Sequence, residues 1–125
     1  MKKKTRLRIL LYVVAFFVLY FLHDYLAGVW GYQINKGMSF GVNLELVQNW
    51  LMVIVLAVNL YVFRGKWGMM VLNIGALVNI MDRVKFGGVR DYWNFMGWWV
   101  NNINDWVIGV GIVILLIEIW KENTK

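Results

Sequence analysis

The sequence is short of the side chains that most enzymes use: it contains no cysteine, one histidine, His23, and one serine, Ser39. A thiol nucleophile is therefore excluded. A serine enzyme would need Ser39 to reach His23, and the residues around Ser39 do not form the elbow that presents a nucleophilic serine. One histidine with scattered aspartates also lacks the ligand spacing of a metal site, so we expect no metal and no cofactor.

Charge is scarce as well. Charged residues make up 16% of the 125 residues, against about 25% in an ordinary soluble domain, and the mean hydropathy is +0.59. Four apolar runs qualify as membrane spans by length and apolarity, at about residues 7–27, 44–63, 67–82 and 103–120. The sequence predicts an all-α integral membrane protein, one domain over residues 1–125 with four transmembrane helices.

The basic residues are unevenly distributed along such a chain. With four spans, nine of the 13 lie on one side of the membrane: Lys2, Lys3, Lys4, Arg6, Arg8, Arg64, Lys66, Lys121 and Lys125. The other four lie on the opposite side: Lys36, Arg83, Lys85 and Arg90. Because cytoplasmic segments carry the excess of Lys and Arg, both termini are predicted to be cytoplasmic. The net charge of +6 then reflects topology and indicates no nucleic-acid partner.

The aspartates collect on the outer side instead. All four aspartates lie at or between the outer ends of the spans: Asp24, Asp82, Asp91 and Asp105. Ionisable groups at membrane depth are costly and indicate function. Residues three or four apart share a helix face, which in the third span groups Gly75, Asn79 and Asp82 or Arg83, and in the fourth Asn102, Asp105 and Gly109. Gly75 permits close helix approach, so the two polar faces are expected to meet near the outer surface.

Paired aspartates are the chemistry that remains. Two neighbouring carboxylates cannot both ionise readily, so one keeps a proton while the other activates a water. The aromatic segment after Asp91 favours the headgroup layer and is expected to hold Asp91 near the bilayer edge. The alternative for Asp91 is an exposed loop acid beside Arg90.

Four stretches of the chain resemble, in order, the motifs of the lipoprotein signal peptidases, the signal peptidase II family. They are "NKGMSFG" (35–41), "GALVNIMDR" (75–83), "GGVRDY" (87–92) and "NINDW" (102–106). The resemblance covers about residues 20–115. The family comprises four-span membrane aspartic proteases that remove the signal peptide from a prolipoprotein just before its diacylglyceryl-modified cysteine.

The resemblance implies roles for individual residues. It makes Asp91 and Asp105 the catalytic pair and assigns substrate contact to Asn35, Gly37, Phe40, Asn79, Arg83, Asn102 and Asp24. It also implies a multi-pass protein of the cytoplasmic (inner) membrane with its active site on the outer face. Its partners would be lipid-modified prolipoproteins, membrane lipid and inhibitors of the globomycin type.

The chain departs from the family pattern in four places, one of which is an Asp91–Asp105 spacing several residues shorter than usual. Gly28 stands where the family usually has a lysine, four residues after the first-span aspartate. The outer segment between Asp24 and Asn35 is short, so the small β-structured or irregular outer cradle over the site is predicted to be reduced. Asn104 occupies a position where the family has alanine, beside Asp105, and can alter the hydrogen bonding of that carboxylate.

Other interpretations stay open. The chain could be a non-enzymatic four-helix membrane protein, a transport or assembly component or an inactive homologue, whose acidic outer cluster binds a cation or a partner; a transporter would place its acids nearer the bilayer midplane. Asp105 could be a helix N-terminal acid. Asp82 could pair with Arg83, and Asp24 with His23 or Arg83. His23 could be an interfacial residue with its polar tip in the headgroup layer.

Overall fold

The computed structural model describes residues 2–36, 45–97 and 99–125. Four helices account for most of them: α1 (Lys3–Trp30), α2 (Glu45–Val62), α3 (Trp67–Phe86) and α4 (Ile103–Asn123). Each of the four predicted apolar runs corresponds to one of these helices, so the mainly helical architecture is confirmed.

Two helices, α1 and α4, are long and apolar enough to cross a membrane by length and composition. Many of their large apolar side chains are exposed, among them Leu10, Val18, Phe21, Val113 and Leu116. Apolar exposure along a helix is expected where lipid takes the place of water. The described apolar part of α2 is shorter, at Asn49–Val62, and the count of four spans stays a prediction.

Glycines hold α3 and α4 close together. A Cβ on Gly68 would lie 2.2 Å from the backbone nitrogen of Leu115, and one on Gly111 would lie 2.4 Å from that of Leu72. At Gly75 the nearest atom would be the backbone oxygen of Asn104, at 2.8 Å. Small residues let helix backbones approach this closely, so the predicted role of Gly75 is confirmed. The contact places the end of α3 beside the start of α4.

The opposite end of this helix pair is fixed by charged groups. The Glu118 carboxylate accepts the backbone N–H groups of Trp67 and Gly68, each at 2.9 Å, and Lys66 forms an ion pair with Glu122. The first N–H groups of a helix have no partner within the helix. Glu118 of α4 therefore caps α3 from outside and aligns the two helices.

Short strands join the helices at the polar end. Strand β1 (Gln33–Asn35) pairs antiparallel with β2 (Val89–Asp91), Gln33 opposite Asp91. Strand β3 (Trp93–Phe95) pairs antiparallel with β4 (Trp99–Asn101). A Cβ on Gly88 would lie 2.7 Å from the Asn35 oxygen, so β1 lies close against the start of β2. These strands occupy the segments for which a reduced cradle is predicted; its location outside a bilayer stays a prediction.

Candidate active site

Asp91, the last residue of β2, is held from two directions. It is 3% exposed. Its Oδ2 accepts a hydrogen bond from Asn35 Nδ2 at 3.0 Å, and its Oδ1 accepts one from Asn102 Nδ2 at 2.8 Å. The first donor comes from β1 and the second from the residue before α4. The interpretation of Asp91 as an exposed loop acid is therefore wrong, because the pairing of β2 with β1 buries its side chain.

Asp105 lies in the first turn of α4 and takes part in a capping box. The Asn102 side chain accepts the backbone N–H groups of Asn104 and Asp105, while Asp105 Oδ2 accepts the Asn102 N–H at 3.1 Å. The other oxygen, Oδ1, accepts a hydrogen bond from Asn79 Nδ2 at 3.2 Å. Asp105 is thus a helix N-terminal acid, and the same bonds fix the orientation of its carboxylate.

Asn104 sets the orientation of Asn79. Its Nδ2 donates to Asn79 Oδ1 at 2.9 Å, which leaves the Asn79 NH₂ group facing Asp105. An amide has one acceptor oxygen and one donor nitrogen, so occupying the oxygen fixes which end meets the carboxylate. Asn104 therefore contacts the Asp105 carboxylate only through Asn79, and a change in the hydrogen bonding of Asp105 relative to the family stays a prediction.

Asn102 connects the two aspartates. Its Nδ2 donates to Asp91 while its Oδ1 accepts the Asp105 N–H at 3.2 Å. Burial raises the pKa of the Asp91 carboxyl above its usual range, and the Asp105 charge adds to this rise, against the hydrogen bonds from Asn35 and Asn102. A carboxyl whose pKa is raised, next to a second carboxylate, is what acid–base catalysis by an aspartate pair requires.

Arg83 brings a positive charge to the same place. Its guanidinium interacts electrostatically with both Asp91 and Asp105. Its Nη1 donates to the Lys36 carbonyl at 3.4 Å, and its buried Nε has no hydrogen-bond partner among the described residues. A partly satisfied guanidinium beside two carboxylates can bind a further oxygen acceptor.

A second polar network lies next to this pair, and it corrects the predicted partners of Asp82 and Asp24. Asp82 is 1% exposed and accepts hydrogen bonds from the guanidinium of Arg90, not from Arg83. Arg90 also bonds Asp24 at 2.8 Å, so Asp24 pairs with neither His23 nor Arg83. The reason is geometric: β2 folds back over the end of α3, whereas Arg83 projects about 100° around the helix from Asp82.

His23 belongs to this network as well, so its assignment to the headgroup layer is wrong. The imidazole is fully buried, with Nε2 2.7 Å from Asp82 Oδ2 and Nδ1 3.0 Å from the Tyr92 hydroxyl. That hydroxyl also accepts the backbone N–H of Ile103 at 3.1 Å. Burial raises the pKa of Tyr92 to about 12, so the phenol stays protonated.

The predicted site residues divide into three groups. Asn35, Asn79, Arg83 and Asn102 lie around Asp91 and Asp105. Asp24 lies apart from them, paired with Arg90, and its side chain is 54% exposed. Gly37 and Phe40 lie outside the described residues. Sequence reasoning did not assign roles to Arg90 and Tyr92, although they flank Asp91 directly and lie in the stretch "GGVRDY", and these are the signals that could have drawn attention to them.

An open cleft lies at the polar end of the molecule. It has a volume of about 670 Å³ and is lined by Trp30, Tyr92, Trp93, Asn94, Phe95, Ile103 and Trp106. Tyr92 and Trp106 directly follow Asp91 and Asp105 in the chain, although neither aspartate lines the cleft. A cleft of this size with aromatic walls and few polar groups suits an extended apolar ligand.

Apolar helices with buried aspartates and amides at one end indicate a helical membrane protein with a carboxylate site, and comparison with known proteins identifies its family. Residues 21–121 match the model of the signal peptidase (SPase) II family. The chain belongs to the signal peptidase II family and is an aspartic-type protease.

Individual relatives support the same assignment. The lipoprotein signal peptidase of Halothermothrix orenii is 33% identical over 102 residues, 74% of this chain and 70% of that protein. That of Clostridioides difficile is 35% identical over 109 residues, 75% of this chain and 71% of that protein. A solved bacterial membrane enzyme has the same fold, with a TM-score of 0.66 and 19% identity over 90% of this chain and 88% of the other.

Proposed function

We propose that this protein is a membrane endopeptidase that removes the signal peptide from prolipoproteins, cutting on the N-terminal side of the diacylglyceryl-modified cysteine. The observation that carries the proposal is the connection of Asp91 and Asp105 through Asn102. Family membership supports the reaction class, and the aromatic cleft fits an apolar segment of the substrate.

In the proposed mechanism the two aspartates exchange protons with the reacting atoms. Asp105 takes a proton from a water, whose oxygen adds to the scissile carbonyl carbon, while Asp91 gives its proton to the carbonyl oxygen. Asp105 then donates its proton to the leaving nitrogen as the C–N bond breaks, and Asp91 regains a proton from the collapsing diol. The raised pKa of Asp91 supports its assignment as the initially protonated partner.

Arg83 and the amides have positioning and electrostatic roles in this mechanism. The Arg83 guanidinium, close to both carboxylates, offsets their negative charge and is available to a substrate carbonyl. Asn79 and Asn102 fix the carboxylate orientations, and Asn35 holds Asp91 from β1. Groups that are already oriented towards developing charge need no reorganisation during the reaction.

The proposal includes a membrane topology. Four spans, cytoplasmic termini and an outer-face site would place the aromatic cleft at the headgroup layer, where Trp and Tyr are favoured. A substrate anchored by its lipid tails would then be held with its scissile bond beside the carboxylates. Binding energy from groups remote from the reacting atoms contributes by orienting them.

Incubation of the purified chain, in lipid nanodiscs, with a diacylglyceryl-modified precursor tests the proposal. We expect a shortened product whose first residue, by mass spectrometry, is the modified cysteine, and inhibition by a globomycin-type peptide. The same precursor without the lipid is the matched control and should remain intact. Equal cleavage of both would contradict lipid dependence, and cleavage of neither would favour a non-enzymatic relative.

A further inference from the structure

Arg90 makes an unusually complete set of contacts for a residue outside the reacting pair. Its Nε donates to both Asp82 oxygens at 3.2 and 3.3 Å, and its Nη2 donates to Asp82 Oδ1 at 3.0 Å. Its Nη1 donates to Asp24 Oδ1 at 2.8 Å. The guanidinium also lies 4.3 Å from the centre of the Phe86 ring. With the side chain 5% exposed, this cation binds carboxylates of both α1 and α3.

The backbone of Arg90 is fixed in the same way. Its N–H donates to Asp82 Oδ2 at 3.0 Å, and its carbonyl accepts from Asn102 Nδ2 at 3.3 Å. The same Asn102 nitrogen donates to Asp91 Oδ1 at 2.8 Å. The peptide that leads into Asp91 is therefore held on one side by α3 and on the other by the start of α4.

Strand pairing alone gives Asp91 little support. Strand β2 has three residues and its only partner in the described sheet, β1, also has three. A two-stranded ribbon of that length is at best marginally stable. The contacts of Arg90 connect this ribbon to α1 and α3, and so determine where the Asp91 carboxylate lies relative to Asp105.

A buried ion pair is weak evidence for a stabilising role, because the desolvation of both charges offsets their attraction. The use of an arginine fork here is better explained by geometry: its planar donors bind the carboxylates of Asp82 and Asp24 at once in a fixed orientation, which a lysine ammonium does not provide. We propose that Arg90 is a positioning residue that holds the Asp91 carboxylate in its place relative to Asp105 for the reaction; this rests on the proposed function.

Two variants at Arg90 and one matched control test this. Arg90→Met removes the charge and the fork, and Arg90→Lys keeps the charge alone. Lys85→Met is the control, because Lys85 is an exposed cation that lies near the same Phe86 ring, at 5.3 Å from its centre. For Arg90→Met we expect kcat to fall on the order of 100-fold with KM within about threefold, as for a small misplacement of a catalytic group. Arg90→Lys should be intermediate, and Lys85→Met should match the parent.

A second substitution tests whether neutralising Asp24, one of the two carboxylates that Arg90 binds, restores activity. Gly28 lies one helical turn from Asp24, and a Cβ there would meet no atom within 4 Å. Gly28→Lys in the Arg90→Met background returns a cation to Asp24 by an i,i+4 pair without connecting β2 to the helices. We expect recovery of part of the melting temperature and no recovery of kcat. Recovery of kcat would show that charge alone suffices and would overturn the proposal.

Amide hydrogen exchange gives a readout that does not depend on activity. Arg90→Met should speed exchange in residues 88–92 relative to the parent, with the Lys85→Met profile unchanged. Unchanged exchange at 88–92 would overturn the proposal. Should the parent itself cleave no precursor, the proposed function fails and exchange alone decides on Arg90. If Arg90→Met does not fold, Arg90→Lys is measured in its place. A kcat and an exchange rate at residues 88–92 that both equal those of the parent would then overturn the proposal.

Discussion

A single amide, that of Asn102, both caps α4 and binds Asp91. Its oxygen accepts the N–H groups of Asn104 and Asp105, and its nitrogen donates to Asp91. The accepting oxygen and the donating nitrogen of this amide can be changed separately by substitution. The proposed pairing of Asp91 with Asp105 makes the donor function necessary for catalysis, whereas the acceptor function supports the helix.

Substituting Asn102 by aspartate or by alanine separates these two functions. Asn102→Asp keeps an N-cap oxygen but loses the donor to Asp91 and adds a second buried carboxyl beside it, so cleavage should be lost and the melting temperature should fall most at a pH at which both carboxyls are charged. Asn102→Ala also loses cleavage but adds no charge, so it should cost about 1 kcal/mol of stability, the usual loss for an N-cap, without that added pH dependence. Parental cleavage by Asn102→Asp would contradict the role given to its nitrogen.

The protonation of Asp91 should also appear in the stability of the protein. Because the folded state raises the pKa of Asp91 above its ordinary value of 3.8, the folded chain binds the proton more tightly than the unfolded chain does. The carboxyl therefore favours folding below pH 3.8, and this contribution is lost as pH rises through the folded-state pKa.

Asp91→Asn removes that titration. We expect the variant to gain melting temperature relative to the parent as pH rises from about 4 to 7, because only the parent then carries the buried charge. Thermal unfolding followed by intrinsic fluorescence across this range measures the difference. A difference that does not change with pH would show that Asp91 titrates alike in the folded and unfolded chains.

At the scale of elements, the site depends on the close contact of α3 with α4. The contact brings Asn79 of α3 to Asp105 of α4, and it is made possible by glycines at which a Cβ would strike backbone atoms of the facing helix. Backbone atoms cannot move aside as a flexible side chain can, so these positions should tolerate no larger residue.

Gly111→Ala and Gly109→Ala form a matched pair on α4. The Cβ at position 111 would lie 2.4 Å from the Leu72 nitrogen, whereas at position 109 there is no atom within 4 Å. We expect Gly111→Ala to cost about 1–3 kcal/mol, the usual range for overpacking, and to reduce cleavage. Gly109→Ala should leave cleavage unchanged and should not lower the melting temperature, since alanine favours a helix over glycine. Equal effects on the melting temperatures of the two variants would contradict the proposed packing.

At the scale of the whole molecule, the helices and the contact between their polar faces could be predicted from the sequence. The hydrogen-bond network of Arg90 with Asp82 and Asp24 could not. Apolar runs mark helices because their length and composition are local properties of the chain. The spacing of Gly75 and Asn79 marks a helix face for the same reason. The partners of Asp82 depend on how β2 folds back over α3, which three residues of strand do not specify. Adjacency in the chain therefore predicts Arg83 as the partner of Asp82, whereas in the folded structure the partner is Arg90.

The distribution of basic residues makes a prediction about the whole chain in a membrane. Lys66 and both termini should be cytoplasmic and Lys36 outside, because the basic excess favours the cytoplasmic face. Because the chain has no cysteine of its own, an introduced cysteine is the single site on this chain that a maleimide can label. In intact cells an impermeant maleimide should label Lys36→Cys and spare Lys66→Cys; the reverse result would overturn the topology.

Cleavage of lipid-modified precursor by Asp91→Asn, Asp105→Asn and the double variant tests the central claim most directly. Asparagine keeps the size of the side chain but cannot exchange a proton with water or carry the negative charge. Each single variant should fold and should lose turnover almost completely, and the double variant should be little worse than either, as expected for residues that act as a unit. Near-parental cleavage by either folded single variant would contradict the assignment of Asp91 and Asp105 as the catalytic pair.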